Sequence, residues 1–388
     1  MTDIPDMPVW LTTNYNCNLQ CKWCFQREMA RSGKVMDYQL AKKLIDLCAG
    51  LPVKHVILIG GEPTLYPNFF DVVRHVKSRG LSANVISNSV RFADSGFLAE
   101  SRESGVKAVT TSVKGSSGEE YLTATGCDAF DLVCGAILNL ENSGISHHVS
   151  VTISSSIIAN WNHMVEFIKE CGANNFHFSF EKPTILLDNT VTLDDRMSPQ
   201  NIAGFIQDVM YPSLLESGVS FKIKFMFPHC FLRDGFVEKL EAEGHAFGCC
   251  ILMNRDGIVF NPDGIVLPCN HFVTYPLGRY GKDFITPKEF LAWRQLEAIK
   301  RFYQVSRLAP NQECAKCDRW SRCGGGCRIF WICQKQGQLL QIPSVSERPL
   351  TAAGTLLREY SKNGVFPQEA DSKFKGVGIS PYAPKSSN

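Results

Sequence analysis

The strongest constraint on the fold is a rhythm. From residue 8 to about residue 227, short apolar runs alternate with amphipathic stretches. The runs VWLTTN at 9–14, HVILIG at 55–60, SANVIS at 82–87, AVTTSV at 108–113, HVSVTI at 148–153 and NFHFSF at 175–180 have strand composition, and VSFKIKFMF at 219–227 adds another. Helical patterns lie between them, near 38–50, 68–79, 94–104, 128–143, 161–171 and 199–217. Strands that alternate with helices build βαβ units and a parallel sheet. Right-handed crossovers then curl that sheet into a barrel or part of one. Chemistry in parallel barrels sits at the C-terminal strand ends. The 388 residues are 44% hydrophobic, enough for two or three domains with a large core.

The rhythm stops near residue 235. Glycine, proline and cysteine become frequent, and helical periodicity returns only near 287–304. The expected division is a barrel over 1–235, a smaller ligand-organised domain over 236–335, and an extension over 336–388 that is a mobile tail or an arm laid on the body. No internal repeat is present.

Forty basic side chains face 38 acidic ones, a net charge of +2, so there is no electrostatic footprint for nucleic acid. The N-terminus lacks a basic stretch followed by an apolar one, and no segment nears the ~20 apolar residues of a membrane span. A cytoplasmic protein without membrane partners is expected. Its 16 cysteines are then buried hydrophobes, catalytic thiols or metal ligands rather than disulfides. Cys48, Cys134 and Cys171 fall inside apolar helical patterns and read as buried structure. Cys127 and Cys230 have no evident role.

Cys17, Cys21 and Cys24 have C-x3-C-x2-C spacing in a loop after the first strand. Three thiolates on one loop can cap three corners of an iron–sulfur cubane and leave the fourth iron free to bind a small chelator. The alternative is a three-cysteine zinc site with a distant fourth ligand. Gly60-Gly61-Glu62-Pro63 ends the second strand; paired glycines permit close approach to bare backbone, and the carboxylate can accept from an ammonium group. An ordinary strand-to-helix turn would look the same. A second group comprises Cys249-Cys250, Gly264-x4-Cys269 after a Pro262-Asp263-Gly264 turn, and Cys314-x2-Cys317-x5-Cys323-x3-Cys327 with glycines at 324–326. Four cysteines so regularly spaced signal metal, with zinc as the competitor.

C-x3-C-x-aromatic-C after the first strand of a βα barrel resembles the signature of the radical S-adenosylmethionine (SAM) superfamily. The resemblance implies a partial parallel (β/α)6 TIM-like barrel. It further implies a 4Fe–4S cluster on Cys17, Cys21 and Cys24 whose open iron binds SAM. One electron then cleaves the sulfonium to a 5′-deoxyadenosyl radical, which abstracts hydrogen from substrate. Trp23 would pack near the adenine, and Gly60, Gly61 and Glu62 would match the family's GGE motif for the SAM amino group. Ser87 and Asn88 would contact the ribose or carboxylate, with Ser112 similar; solvated strand ends are the alternative. Lys114 stands where many relatives place an acid, and would pair with the cofactor carboxylate or an acidic substrate unless it is a surface lysine. Glu181, ending the sixth strand, is a candidate substrate ligand or base, or else a partner of Lys182.

The later cysteines resemble the SPASM extension, a small cysteine-rich iron–sulfur domain with up to two auxiliary 4Fe–4S clusters. By that resemblance Cys249 or Cys250, Cys269 and Cys327 hold one, and Cys314, Cys317 and Cys323 the other. The family adds a later cysteine; here only Cys333 follows, so it is the last ligand, or one cluster has an open site or is absent. Of the adjacent pair, one cysteine would ligate while the other, with Cys250 a candidate, donates a hydrogen atom to a substrate radical. SPASM relatives mostly oxidise or cross-link peptides, so the expected activity is maturation of a ribosomally made peptide. Asn270 occupies a position that is acidic in sulfatase-maturing relatives, which disfavours formylglycine formation. With the cysteine loop at residue 17, a peptide would dock directly or through a separate recognition protein, and flavodoxin or ferredoxin would donate electrons. The alternatives are a dehydrogenase or epimerase of a sugar or aminoglycoside, and a non-catalytic metal-binding scaffold; the GGE motif argues against the scaffold.

Overall fold

The computed structural model describes residues 7–329 except 186–190, 193, 249, 274, 308, 310 and 311. The expected tail and Cys333 lie outside the described residues, as does Cys249.

One 11-stranded sheet carries the architecture. Strands β1 (Val9–Thr12), β2 (His55–Ile59), β3 (Ser82–Ser87), β4 (Val106–Val113), β5 (Ser146–Ile153) and β6 (Asn175–Phe180) lie side by side in chain order, every pair parallel. After β6 a small ribbon, β7 (Thr184–Ile185) and β8 (Val191–Thr192), stands apart. β9 (Ser220–Lys224) returns parallel to β6, and β10 (Ala246–Phe247) flanks β9. This is the expected partial (β/α)6 TIM-like barrel, extended by β9.

At the opposite edge β11 (Ile258–Phe260) pairs parallel with β1, placing Val9 beside Ile258 and Leu11 beside Phe260. The antiparallel strands β12 (Ile265–Leu267) and β13 (Gly278–Arg279) follow. The hairpin turns as its sequence requires: Asn261 Oδ1 accepts from the amides of Asp263 (3.0 Å) and Ile265 (2.9 Å), and Gly264 has φ +72°. The sheet therefore passes without a break from barrel to cysteine-rich region. The core does too, with Leu252, Ile258, Phe272, Phe290 and Phe302 packed with Val9, Leu11, Leu44 and Val56.

Strand side chains alternate between two faces. In β4, β5 and β6 the positions of Val109, Val113, Val149, Val151, Phe176 and Phe178 are fully buried against the helices. The intervening Thr110, Ser112, His148, Ser150, His177 and Ser179 stay half-exposed on the inner face. A closed barrel fills its interior with branched apolar residues; this one keeps a polar, accessible lining.

The helix expected over 199–217 is split into Pro199–Phe205, a π-helical turn Ile206–Met210, and Tyr211–Ser217. Pro212 cannot donate to the carbonyl four residues back, and the widened turn precedes it. Several short helices escaped the periodicity, among them Gly118–Thr125, Ser155–Ala159 and Phe236–Ala242, all shorter than the window that reveals an apolar face. Among the described residues, no single helix is long and apolar enough to cross a membrane.

Candidate active site

The first cysteine loop is clamped at the C-terminal end of the sheet. Gln20 and Lys22 donate backbone N–H bonds to the carbonyls of Thr125 (2.7 Å) and Ala124 (3.2 Å). The Cys127 thiol donates to the Asn18 carbonyl at 3.2 Å. The helix Gly118–Thr125 and the turn after it thus form the floor of the loop, a role that sequence reading missed for Cys127. On the other side Gly61 and Glu62 donate to the carbonyls of Asn14 (2.9 Å) and Asn16 (2.7 Å). A Cβ on Gly61 would lie 2.3 Å from the Asn16 oxygen and 2.4 Å from that of Tyr15, and one on Gly60 2.5 Å from that of Asn14. The bare backbone of the glycine pair is therefore occupied by the cysteine loop itself, locking both motifs together.

Glu62 is the hub of this end. It is 1% exposed. One carboxylate oxygen accepts from the Thr64 amide (3.0 Å), the Thr64 hydroxyl (2.7 Å) and the Ser87 hydroxyl (2.7 Å), and the other from the Asn88 amide (2.8 Å). Burial pushes its pKa up, against the pull of those hydrogen bonds. Ser87 and Asn88 thus meet Glu62 directly, and Asn88 also reaches the cysteine loop through Nδ2 to Asn18 Oδ1 at 2.7 Å. The next residue, Ser89, is left-handed at φ 64°, held by its hydroxyl pairing with Thr111 Oγ1 at 2.8 Å.

The thiols share one neighbourhood. Burial raises Cys17 to about 12, with Glu62, Cys21 and Cys24 adding to the rise and the Leu19 N–H (3.4 Å from the sulfur) opposing it. Burial also raises Cys21 and Cys24, and the Lys114 ammonium opposes that for both. Lys114 is thus beside the cysteine loop, donating to Ser112 Oγ at 2.5 Å. Trp23 lies in the loop, its carbonyl 3.5 Å from the Thr184 hydroxyl.

This donor set fits an iron–sulfur cluster. Clustered thiols with raised pKa become thiolates only when metal charge compensates them. Among the described residues, no three His, Cys, Asp or Glu side chains converge on a single-ion site. A mononuclear zinc centre needs its thiolates about 2.3 Å from one atom, whereas a cubane distributes them over separate irons. Beneath the loop, the Tyr121 hydroxyl is buried with no hydrogen-bond partner among the described residues, close to Cys21, Glu62 and Cys17. An unsatisfied hydroxyl there suits a site completed by a bound group.

The later cysteines fall into two groups. Burial, then Cys250 and Cys327, raise the Cys269 thiol; burial and Cys250 bring Cys327 to about 11, with Lys182 opposing. Lys182 is half-buried among these three sulfurs, and desolvation lowers its pKa. Burial raises Cys314 to about 12, and Cys323, Cys230 and Cys317 reinforce it. Arg328, 5% exposed, lies between the groups near Cys250, Cys314, Cys323 and Cys327 and over the Trp320 ring at 5.2 Å. Cys48 and Cys171 are buried as expected; Cys134 is only half-buried, packed against the core near Cys171.

Glu181 stands at the inner-face rim, its amide bonded to the Ile153 carbonyl at 2.9 Å. Burial and the Asp194 carboxylate raise it to about 7, with Arg196 opposing.

A cysteine loop on a glycine–glutamate strand end, above an open polar barrel, defines a class of iron–sulfur enzymes that act on SAM. Residues 11–171 match the Radical SAM superfamily model, so this part of the chain is a radical SAM domain, and the cysteine-rich C-terminal region fits a SPASM extension. The superfamily uses SAM and a 4Fe–4S cluster, and SPASM homologues add auxiliary clusters. The tungsten-containing aldehyde ferredoxin oxidoreductase cofactor-modifying protein of Pyrococcus furiosus is 36% identical over 103 residues, 26% of this chain and 29% of its own. The AdoMet-dependent heme synthase of Methanosarcina barkeri is 24% identical over 339 residues, 84% of this chain and 92% of its own. The mycofactocin maturase MftC of Mycolicibacterium smegmatis is 28% identical over 152 residues, 38% of each. The matches thus span well under half of two of these relatives. Among solved structures, anSMEcpe with bound AdoMet and the Kp18Cys peptide superposes with TM-score 0.65 at 18% identity, covering 92% of this chain and 97% of that one. Streptococcus suis SuiB bound to its precursor peptide SuiA gives 0.64 at 14%, covering 87% and 75%. These likenesses are of fold.

When bound, the cluster and SAM supply one-electron cleavage of the sulfonium. This chain's own part would be to hold three thiolates in register through the Asn14–Asn16 backbone, to present Glu62 and its donors beside them, and to leave a polar path for substrate.

Proposed function

We propose that this enzyme abstracts hydrogen from a ribosomally made peptide and oxidises or cross-links it. The observation that carries the reading is the accessible polar inner face, which leads from the first cysteine loop toward Lys182 and the Cys250–Cys269–Cys327 group. A substrate radical formed over that face has an electron acceptor at hand if the auxiliary cluster sits on those thiolates. A relative named as a maturase supports the reading, as do neighbours solved with peptides. Glu181 serves as base or substrate ligand, and the Cys249-Cys250 pair supplies one ligand and one hydrogen donor. If alanine at both positions merely loses iron, the donor role is wrong. A flavodoxin or ferredoxin delivers the electron, a separate protein presents the peptide, and the enzyme works in the cytoplasm.

A second reading, action on a small-molecule metabolite, is favoured by the match to the heme synthase over 84% of this chain. Reconstituted, reduced enzyme incubated with SAM and deuterated candidates separates the two. Deuterium in 5′-deoxyadenosine from a peptide supports the first; label from a metabolite alone supports the second. No 5′-deoxyadenosine with any substrate defeats both.

A further inference from the structure

The second cysteine group leaves a ligand unassigned. Cys314, Cys317 and Cys323 supply three thiolates, and a cubane has four irons. Cys230 lies 84 positions before Cys314 in the chain, outside any cysteine motif.

The fold brings it there by backbone contact. The strand exit after β9 runs along the glycine-rich segment. The Cys327 amide donates to the Met226 carbonyl at 2.7 Å. A Cβ on Gly326 would strike the Phe227 backbone at 2.5–2.7 Å, so only glycine admits this approach. The His229 amide then donates to the Cys323 sulfur at 3.3 Å. Cys230 is the next residue, in the 3-10 turn His229–Phe231. Ion pairs fasten the same face: Arg319 with Asp234 at 2.8 Å, Arg322 with Glu238 at 2.8 Å, and Arg322 with Glu241.

Side-chain chemistry agrees. The Cys230 thiol is close enough to Cys323, Cys317 and Cys314 for their charges to act on one another. Packing gives no other reason for a cysteine here: unlike Cys48 and Cys171, Cys230 is an exposed residue outside the core.

We propose that Cys230 is the fourth thiolate ligand of the second auxiliary cluster, with Cys314, Cys317 and Cys323. The assignment rests on the auxiliary-cluster reading of this region. It makes that cluster a clasp between the barrel's last strand exit and the C-terminal cysteine segment, each ligation releasing a proton from its thiol.

The test begins from full-length protein carrying Cys17→Ala, Cys21→Ala and Cys24→Ala, reconstituted anaerobically with iron and sulfide, so that only auxiliary sites count. That background should hold about 8 iron. Adding Cys230→Ser should lower it to about 4, or leave a three-iron cluster with a new electron paramagnetic resonance signal, matching Cys323→Ser; adding Cys333→Ser should leave about 8. Iron and spectrum unchanged by Cys230→Ser overturn the assignment. A background holding no iron defeats the auxiliary-cluster reading, and one holding about 4 iron that Cys323→Ser leaves in place defeats the second cluster and the assignment with it. Alkylation of the wild-type protein reads the same point without a variant. Cys230 should resist iodoacetamide in reconstituted protein and react after iron is chelated, as mapped by peptide mass. Equal labelling in both states overturns the proposal.

Discussion

The ring of Phe25, the residue after Cys24, lies with its centroid 4.4 Å from that of His271, two residues after Cys269. The loop of the first cysteine set and the hairpin of the second thus meet through side chains. His271 is half-buried and stays neutral, its pKa pushed well down by desolvation and then by Lys182 and Lys224. Phe25→Ala should remove an aromatic pair contributing about 0.5–1.5 kcal/mol beyond its buried area, read as a lower denaturant midpoint. Iron content should stay at the wild-type value, because no ligand is lost; a fall in iron would show that the contact is needed to form the clusters.

Alanine at Cys17, Cys21 or Cys24 should remove about 4 iron and abolish 5′-deoxyadenosine formation while auxiliary iron remains. Retained SAM cleavage in any of the three would contradict the site.

Glu62→Gln keeps the shape of the hub but turns an amide donor toward groups that already donate. Leaving one of the Thr64, Ser87 or Asn88 donors unsatisfied costs about 1–3 kcal/mol. Thermal denaturation should show that loss, and isothermal titration should show weaker SAM binding. Unchanged affinity would remove Glu62 from the cofactor site.

Glu181 titrates at about 7 when folded, above its ordinary 4.5. Between those values the folded chain holds a proton that the unfolded chain has released. Its contribution to stability is therefore greatest below about pH 4.5 and is lost as pH rises through about 7. Glu181→Gln should flatten that part of the stability profile. If the carboxylate is the working base, turnover should rise across the same range in wild type and lose that inflection in the variant.

His148 behaves oppositely. Burial and the charges of His177, His147 and Lys222 hold it at about 4, and its ring centroid is 4.1 Å from that of His177. The unfolded chain takes up this proton near pH 6.5 and the folded chain only near 4, so stability falls as pH drops through that interval. His148→Gln should reduce the acid sensitivity, measured by urea midpoints at pH 7 and pH 5.

The barrel was legible because strand composition and 3.6-residue periodicity recur six times, and observed ends differ from the sequence reading by a few residues. The C-x3-C-x2-C loop and the Gly60-Gly61-Glu62 strand end were legible as short contiguous motifs. What joins them was not. Cys127 and Cys230 reach their sites through turns whose neighbours are distant in sequence, and no local spacing encodes a sulfur 93 positions from its neighbour Cys323. The pairing of β11 with β1 was equally hidden, since three residues are too few to show a period. Lys182 read as a possible partner of Glu181, whereas its place among Cys250, Cys269 and Cys327 depends on where the chain turns after β6.

Because β11 sits on β1, the cysteine-rich region is also the barrel's edge cover. A chain cut after residue 235 would bare the hydrogen-bonding groups of Val9–Thr12 and the apolar faces of Val9 and Leu11. An uncovered parallel strand of that kind recruits other chains, so the isolated barrel should self-associate rather than survive as a smaller enzyme.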